Sequence, residues 1–168
     1  MRLCKIALLA AVGVHLLLVV FNNLSDYGSN LAFVQHVLGM DTLFSGDTNR
    51  WRALYGTAAT DGSQWLHHAA YLVIIAWEAA ACGLILLGVA RLWQLRGVSA
   101  NAFNAAKSLG TIGLTVSLLL WFLAFISIGG EWFLMWQSKT WNGLDASFRM
   151  FACTGIVLIF LNQRDVDT

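Results

Sequence analysis

From Leu66 to Ala90 the chain is apolar almost without interruption, and Glu78 is the only Asp, Glu, Lys or Arg within it. A helix of that length exceeds the ~30 Å hydrocarbon core of a bilayer, so the run reads as a spanning helix with room for tilt. Three further apolar runs cover Ile6 to Phe21, Leu109 to Ile128 and Met150 to Leu161. The last alone would rise only about 18 Å at ~1.5 Å per residue, too short to cross. A start at Asn142, a good N-capping residue, makes that helix long enough. It then carries Asp145 and Arg149 in its first turns, acid before base at i,i+4. That order suits both an ion pair and the helix dipole, and would neutralise Arg149 at the membrane edge. The expected fold is all-α: a polytopic membrane protein in one domain over residues 1–168. Its four transmembrane helices are expected over about 6–23, 66–90, 108–128 and 143–161.

Composition agrees. Hydrophobic residues make up 58% of the chain and charged residues 11%, against roughly 25% charged in soluble domains. Net charge is +1 with no Lys/Arg tract, so no nucleic-acid partner is expected, because neutralising phosphates requires clustered bases. There is no proline to break a helix. Cys4, Cys82 and Cys153 show neither disulfide nor metal-ligand spacing, and no metal site is predicted. Cys4 precedes the first apolar run, which a lipoprotein cysteine would follow. That run follows Arg2 and Lys5 like a signal peptide, but it ends in Phe21, Asn22 and Asn23 rather than in small residues. It reads as an uncleaved anchor.

Basic residues set the orientation. Arg2, Lys5, Arg91, Arg96, Lys107 and Arg164 fall in the terminal and connecting segments of one side, and Arg50, Arg52, Lys139 and Arg149 in those of the other. In a bacterial inner membrane this bias places both termini in the cytoplasm and the large loops, roughly 22–65 and 129–142, in the periplasm. In the first loop Leu31, Val34, Val37 and Leu38 recur at helical spacing, which predicts a short interfacial helix over Ser29 to Met40, capped by Ser29 or Asn30. A second is expected from Arg50 towards Ala59. The second loop, Gly129 to Arg149, holds Trp132, Trp136 and Trp141 among the charges Glu131, Lys139, Asp145 and Arg149. Amphipathic rings mixed with charges suit the headgroup layer.

Glu78 lies near the middle of its own span, where an ionised carboxylate costs a few kcal/mol and should face the bundle. His15, at comparable depth in the first span, is the expected partner. The pair suits a proton-relay or quinone contact, or a structural hydrogen bond that fixes helix register. No cofactor is predicted; a bound lipid or quinone is compatible with this setting. Haem is not expected unless a second subunit supplies a ligand, because no second span offers one at the depth of His15, while His67 and His68 sit at a span end and His36 with Met40 in the surface segment. Ala79 and Gly83, and Gly110 with Gly113, are expected to let helices approach closely.

The pieces NLAFVQHVLGMDT (Asn30 to Thr42), which includes His36, Met40 and Asp41, and GGEWFLMWQSKTWNGLDASFR (Gly129 to Arg149), together with Asn23, Asp26 and Glu78, carry a resemblance over nearly the whole chain. The sequence resembles a bacterial family of predicted small integral membrane proteins with a domain of unknown function. The resemblance implies a four-helix inner-membrane fold and brings no activity, cofactor or catalytic residue. With no nucleophile–base or metal-ligand constellation in the residues, the function expected first is non-enzymatic: an accessory or regulatory subunit of a larger complex, surrounded by membrane lipids and bound to an integral membrane partner. Glu131, Trp132, Trp136, Gln137, Trp141, Asn142 and Arg149 are the expected contact residues. Two other expectations stand beside it: a proton- or quinone-linked function using Glu78 and His15, and an immunity-type protein that blocks a membrane-targeted toxin through its outer loops.

Overall fold

The computed structural model describes residues 1–54 and 64–166. Helix α1 spans Arg2–Ser25 and α2 Tyr27–Gly39, and a 3-10 turn covers Thr48–Arg52. Helix α3 follows over Gln64–Gln94, then α4 over Ala100–Ala106 and α5 over Ser108–Leu119, which continues as a π-helical stretch over Leu120–Trp132. A 3-10 turn at Met135–Gln137 leads to α6, Leu144–Asn162. Four helical stretches are long and apolar enough to cross a membrane: Arg2–Ser25, Gln64–Gln94, Ala100–Trp132 and Leu144–Asn162. Only 17% to 33% of their most apolar windows is buried within the chain. Leu17, Leu18, Phe21, Val73, Leu87, Ile156 and Ile159 therefore point outward, an arrangement stable in lipid and costly in water.

Helix α3 is the hub, packing along α1 on one side and α5 on the other, with α6 closing against α5 and the π-helical stretch. Leu9, Leu16, Ala81, Ile85, Leu92, Phe103, Leu114 and Leu161 form the main core. Close approach is made by Gly88, where an added Cβ would lie 2.6 Å from the Gly110 backbone nitrogen, and by Gly113, 2.8 Å from that of Ile85. Gly110 and Gly113 thus do what the sequence suggests. Ala79 and Gly83 do not: both face outward, with nothing within 4 Å of a Cβ at Gly83. Sequence spacing cannot say which side of a uniformly apolar helix meets its neighbour. Gly88→Ala is expected to wedge α3 from α5 and cost about 1–3 kcal/mol, whereas Gly83→Ala should be neutral or gain up to about 1 kcal/mol. Thermal melting of the two variants in detergent checks the contrast; equal melting points would reject the Gly88 contact.

The third span departs most from the expected α-helix. Trp77 Nε1 donates to the Val116 carbonyl at 3.0 Å, and the Leu120 N–H is shared between the Ser117 and Val116 carbonyls. Trp77 is thus an added donor on the Val116 carbonyl, which keeps its bond from the Leu120 N–H just before the pitch changes. The pitch widens from that point, ending with Phe133 N–H on the Ile128 carbonyl, five residues back, at 3.0 Å. Glu131 and Trp132 therefore belong to the end of the span, and the outer segment begins at Phe133 rather than at Gly129.

Helix α2 matches the expected surface helix, beginning two residues earlier than Ser29. Of the second short helix, the structure describes the 3-10 turn Thr48–Arg52; the rest of that expectation, residues 55–59, lies outside the described residues. The N-cap of α6 is Gly143 rather than the expected Asn142, which stands one residue before it with its Oδ1 accepting from the Leu144 N–H at 3.0 Å. Asp145 and Arg149 are both exposed, and among the described residues no ion pair joins them. Exposure to solvent at the helix start leaves each hydrated separately, so the expected neutralisation is replaced by solvation.

Candidate interaction surface at the loop end

Two segments far apart in sequence, 33–54 and 133–144, fold into one cap. Its apolar centre is Val37, Met40, Leu43, Ala53, Phe133 and Met135, with Phe33, Trp141 and Leu144 packed around it. Met40 ends α2 with φ 48°, in the left-handed region that costs a non-glycine residue roughly 1–2 kcal/mol. Burial of its side chain, 1% exposed, offsets that cost. Met40, read from sequence as a surface residue, is a core residue of the cap.

Gln137 ties the two segments together. Its Oε1 accepts from the Phe44 N–H at 2.9 Å and its Nε2 donates to Asp47 Oδ2 at 2.7 Å. Thr42 Oγ1 donates to Ser138 Oγ at 2.9 Å, and Ser138 Oγ accepts from the Trp141 N–H at 2.8 Å. The Gln137 hydrogen bond, with a second from the Asn49 backbone N–H, holds the Asp47 carboxyl below the usual carboxylate range. A carboxylate with a lowered pKa in the folded state keeps its contribution at neutral pH and loses it only as pH falls through that lowered value. Below the cap, His67 is buried and its Nε2 lies 2.8 Å from the Leu54 carbonyl.

With its polar interior used for self-attachment, the cap presents aromatic rings outward. Trp51 is 69% exposed, Trp132 50% and Trp136 46%. Trp51 and Trp132 meet edge to face at 6.3 Å, with the Arg52 guanidinium 5.4 Å and 5.1 Å from the two rings. Trp136 stands edge to face with Phe44 at 5.7 Å. His36 stacks on Trp141 at 4.4 Å, and its Nδ1 lies 2.6 Å from Asp41 Oδ2.

The residues expected at the contact surface thus divide. Trp132 and Trp136 are exposed on the cap, Glu131 is exposed where the third span ends, and Asn142 and Arg149 are exposed at the start of α6. Gln137 and the half-buried Trp141 and His36 position the cap from within, and Asn30 is half-buried on α2. Trp51, Phe44 and Asp47 were not anticipated. Their signal was faint: an isolated Trp beside Arg52, and a Gly-Asp turn.

Glu78 faces the bundle as expected, at 2% exposure. Its hydrogen bond comes from Asn23 Nδ2 at 2.6 Å, not from His15, which is exposed on the outward side of α1. Tyr71 O–H donates to the Asn23 carbonyl at 3.1 Å. Asn23 belongs to the last turn of α1, eighteen residues from Lys5, which is about 27 Å at ~1.5 Å per residue. Glu78 consequently lies level with the last turn of α1 rather than with His15. Counting from the ends of its own run misplaced it because α3 extends past α1 and packs there against α2, with Leu31 and Val34 beside Tyr71 and Ile75.

The other end holds a second buried polar cluster. Lys5 Nζ and Lys107 Nζ lie 2.7 Å and 2.6 Å from the same Asp165 Oδ2, and both donate to the Gln163 carbonyl. Lys107 also donates to Asn104 Oδ1 at 2.7 Å. Burial raises the Asp165 pKa, but hydrogen bonds from Lys107 and Lys5 outweigh it and hold the carboxyl below its ordinary value. Arg2, Lys5 and Asp165 meet the 96–98 turn and the chain end, so both termini lie at one end of the bundle. Among the described residues no group of three or more His, Cys, Asp and Glu side chains is placed to hold a metal ion.

Four lipid-length helices with outward apolar surfaces, joined by an aromatic cap at one end and a lysine–aspartate cluster at the other, define an integral membrane protein. The model of the family described as predicted small integral membrane protein (DUF2165) matches residues 1–164, and the chain belongs to that family. No curated protein and no solved structure matches it.

Proposed function

We propose that this protein is a non-enzymatic accessory or regulatory subunit that associates with a larger integral membrane protein through the loop-end cap. The observation that carries the reading is the set of exposed rings Trp51, Trp132, Trp136 and Phe44 standing on a cap fixed from within by Gln137. Rigid aromatics lose little entropy on docking and are the side chains most often dominant in binding energy. The outward face of α3, where Ala76, Ala79, Ala80 and Gly83 are exposed, offers a partner helix close backbone approach beneath the cap. The proposed setting is a bacterial inner membrane with the termini cytoplasmic and the cap periplasmic, on the strength of the basic residues gathered at the terminal end.

The test is recovery of the protein at native expression in mild detergent, with identification of what accompanies it. Trp132→Ala with Trp136→Ala should lose a stoichiometric partner, by a factor of about 30 if the rings are worth about 2 kcal/mol, with the protein's own membrane abundance unchanged. Undiminished recovery from the double variant, or a wild-type particle of this chain alone, rejects the reading.

A further inference from the structure

The terminal end contains a cavity of about 840 Å³, bordered by Arg2, Lys5, Gly97, Gln163, Arg164 and Asp165. Its charge is unbalanced. Lys5 and Lys107, 2% and 4% exposed, share the single carboxylate Asp165, so the cluster beneath the cavity holds two cations against one anion. Lys107 Nζ commits its three donors to Asn104, Gln163 and Asp165. Lys5 Nζ donates to Gln163 and Asp165, and its other neighbour is the face of the Phe160 ring at 5.9 Å. Arg2 is fixed at the wall by donation to the Arg96 and Val98 carbonyls and by its guanidinium lying 4.9 Å from the Phe103 ring. Arg164 is exposed on the opposite wall.

The rim differs in character from the floor. Met1 is 77% exposed, Leu3 59% and Val166 69%, and all three border the same cavity. A basic floor with Leu3 exposed on α1 beside it, at the level where the spans end, offers a phosphate a positive field and an acyl chain a lateral apolar contact. Basic pockets between spans at a membrane surface take anionic head groups in this manner. The polarity of the whole chain points the same way. Six of its ten Lys/Arg belong to the segments at this end, and among the described residues Asp165 is the only Asp or Glu there.

We propose that this cavity is a binding site for the phosphate-bearing head group of an anionic phospholipid, with Arg164 contacting the phosphate over the positive field of the Lys5–Lys107–Asp165 cluster. The site is separate from the cap and does not depend on the function proposed for it. Uncharged-headgroup and zwitterionic lipids lack the net charge to repay desolvation of the floor. Free inorganic phosphate would leave the apolar rim unused.

The experiment is native mass spectrometry of the full chain purified in mild detergent, offered phosphatidylglycerol and phosphatidylcholine at equal concentration. Retention should favour phosphatidylglycerol by at least about fivefold, the effect of one basic side chain near a membrane surface. Arg164→Gln should lower that preference about fivefold, whereas Arg91→Gln, at the same end but not bordering the cavity, should leave it intact. Equal retention of the two lipids by the unaltered protein overturns the proposal, and that comparison decides even if Arg164→Gln does not fold. Equal loss in the two variants overturns it in favour of diffuse surface charge. Full displacement of phosphatidylglycerol by millimolar inorganic phosphate overturns it in favour of a soluble anion.

Discussion

Asp165→Asn is expected to be the most damaging single substitution at the terminal end, costing about 3–5 kcal/mol and lowering the melting point by roughly 10 °C. Asp165 Oδ2 is the shared acceptor for two buried ammonium groups. Removing its charge leaves both cations out of water without a counter-ion, which is far costlier than never having buried them. Lys5→Met should cost less, about 1–2 kcal/mol, because Lys107 and Asp165 remain as a one-to-one pair. The ordering is the informative part: a Lys5→Met variant as unstable as Asp165→Asn would show that packing, not charge balance, holds the cluster. Acid provides an independent check. Since the Asp165 carboxyl titrates below its ordinary value in the folded protein, its contribution is complete above the unfolded value near 3.8 and disappears as pH falls through the lowered one. Asp165→Asn should abolish that part of the acid sensitivity, and detergent melting curves between neutral and strongly acidic pH would reveal it.

Asn23→Ala should be comparably severe at the other end, about 3 kcal/mol, because it strips the 2.6 Å hydrogen bond from a carboxyl group that is only 2% exposed. Glu78→Gln keeps an acceptor oxygen for Asn23 Nδ2 and should stay within about 1 kcal/mol of the parent. Combining Asn23→Ala with Glu78→Gln should recover part of the loss, since an unsatisfied amide is less costly to bury than a carboxylate. Non-additivity of this kind is what a double-mutant cycle measures. A cycle with no coupling would separate the two residues and return Glu78 to the search for another partner. His15→Ala, on the outward side of α1, is not expected to change the outcome.

The two clusters lie at the two ends of α1. Lys5 and Asn23 stand on the same helix about 27 Å apart, close to the thickness of a hydrocarbon core. Between them the interior is leucine, isoleucine, alanine and glycine, with Ser117 and Thr154 among the few buried polar groups. Each end is therefore locked by a buried polar contact that fails if a helix slides by one turn. Register along otherwise featureless apolar helices is set in this way.

How much of this the residues disclose depends on the range of the interaction. Four spans, their approximate limits and the α2 helix follow from local periodicity and hydropathy, which act within a few residues and are written consecutively in the chain. Gly110 and Gly113 were legible as points of close approach because a missing side chain has the same consequence in any packing. Their partner Gly88 was not, and Ala79 and Gly83 face away from the rest of the chain, because rotation of an all-apolar helix leaves no mark in its own sequence. The choice of His15 for Glu78 failed for a related reason. Depth counted along one helix assumes that all helices begin at one level, and α3 does not.

The sequence by itself determined that the chain is helical, crosses a membrane four times and gathers its basic residues at one end, since each follows from transfer free energies summed residue by residue. Only the tertiary structure decided that Glu78 meets Asn23, that Lys5 and Lys107 share Asp165, that Trp77 bonds the Val116 carbonyl ahead of the π-helical stretch and that Gln137 holds 33–54 to 133–144. Each of those contacts joins residues 39 to 160 positions apart. Their existence depends on the relative rotation and offset of helices, which packing fixes and hydropathy does not.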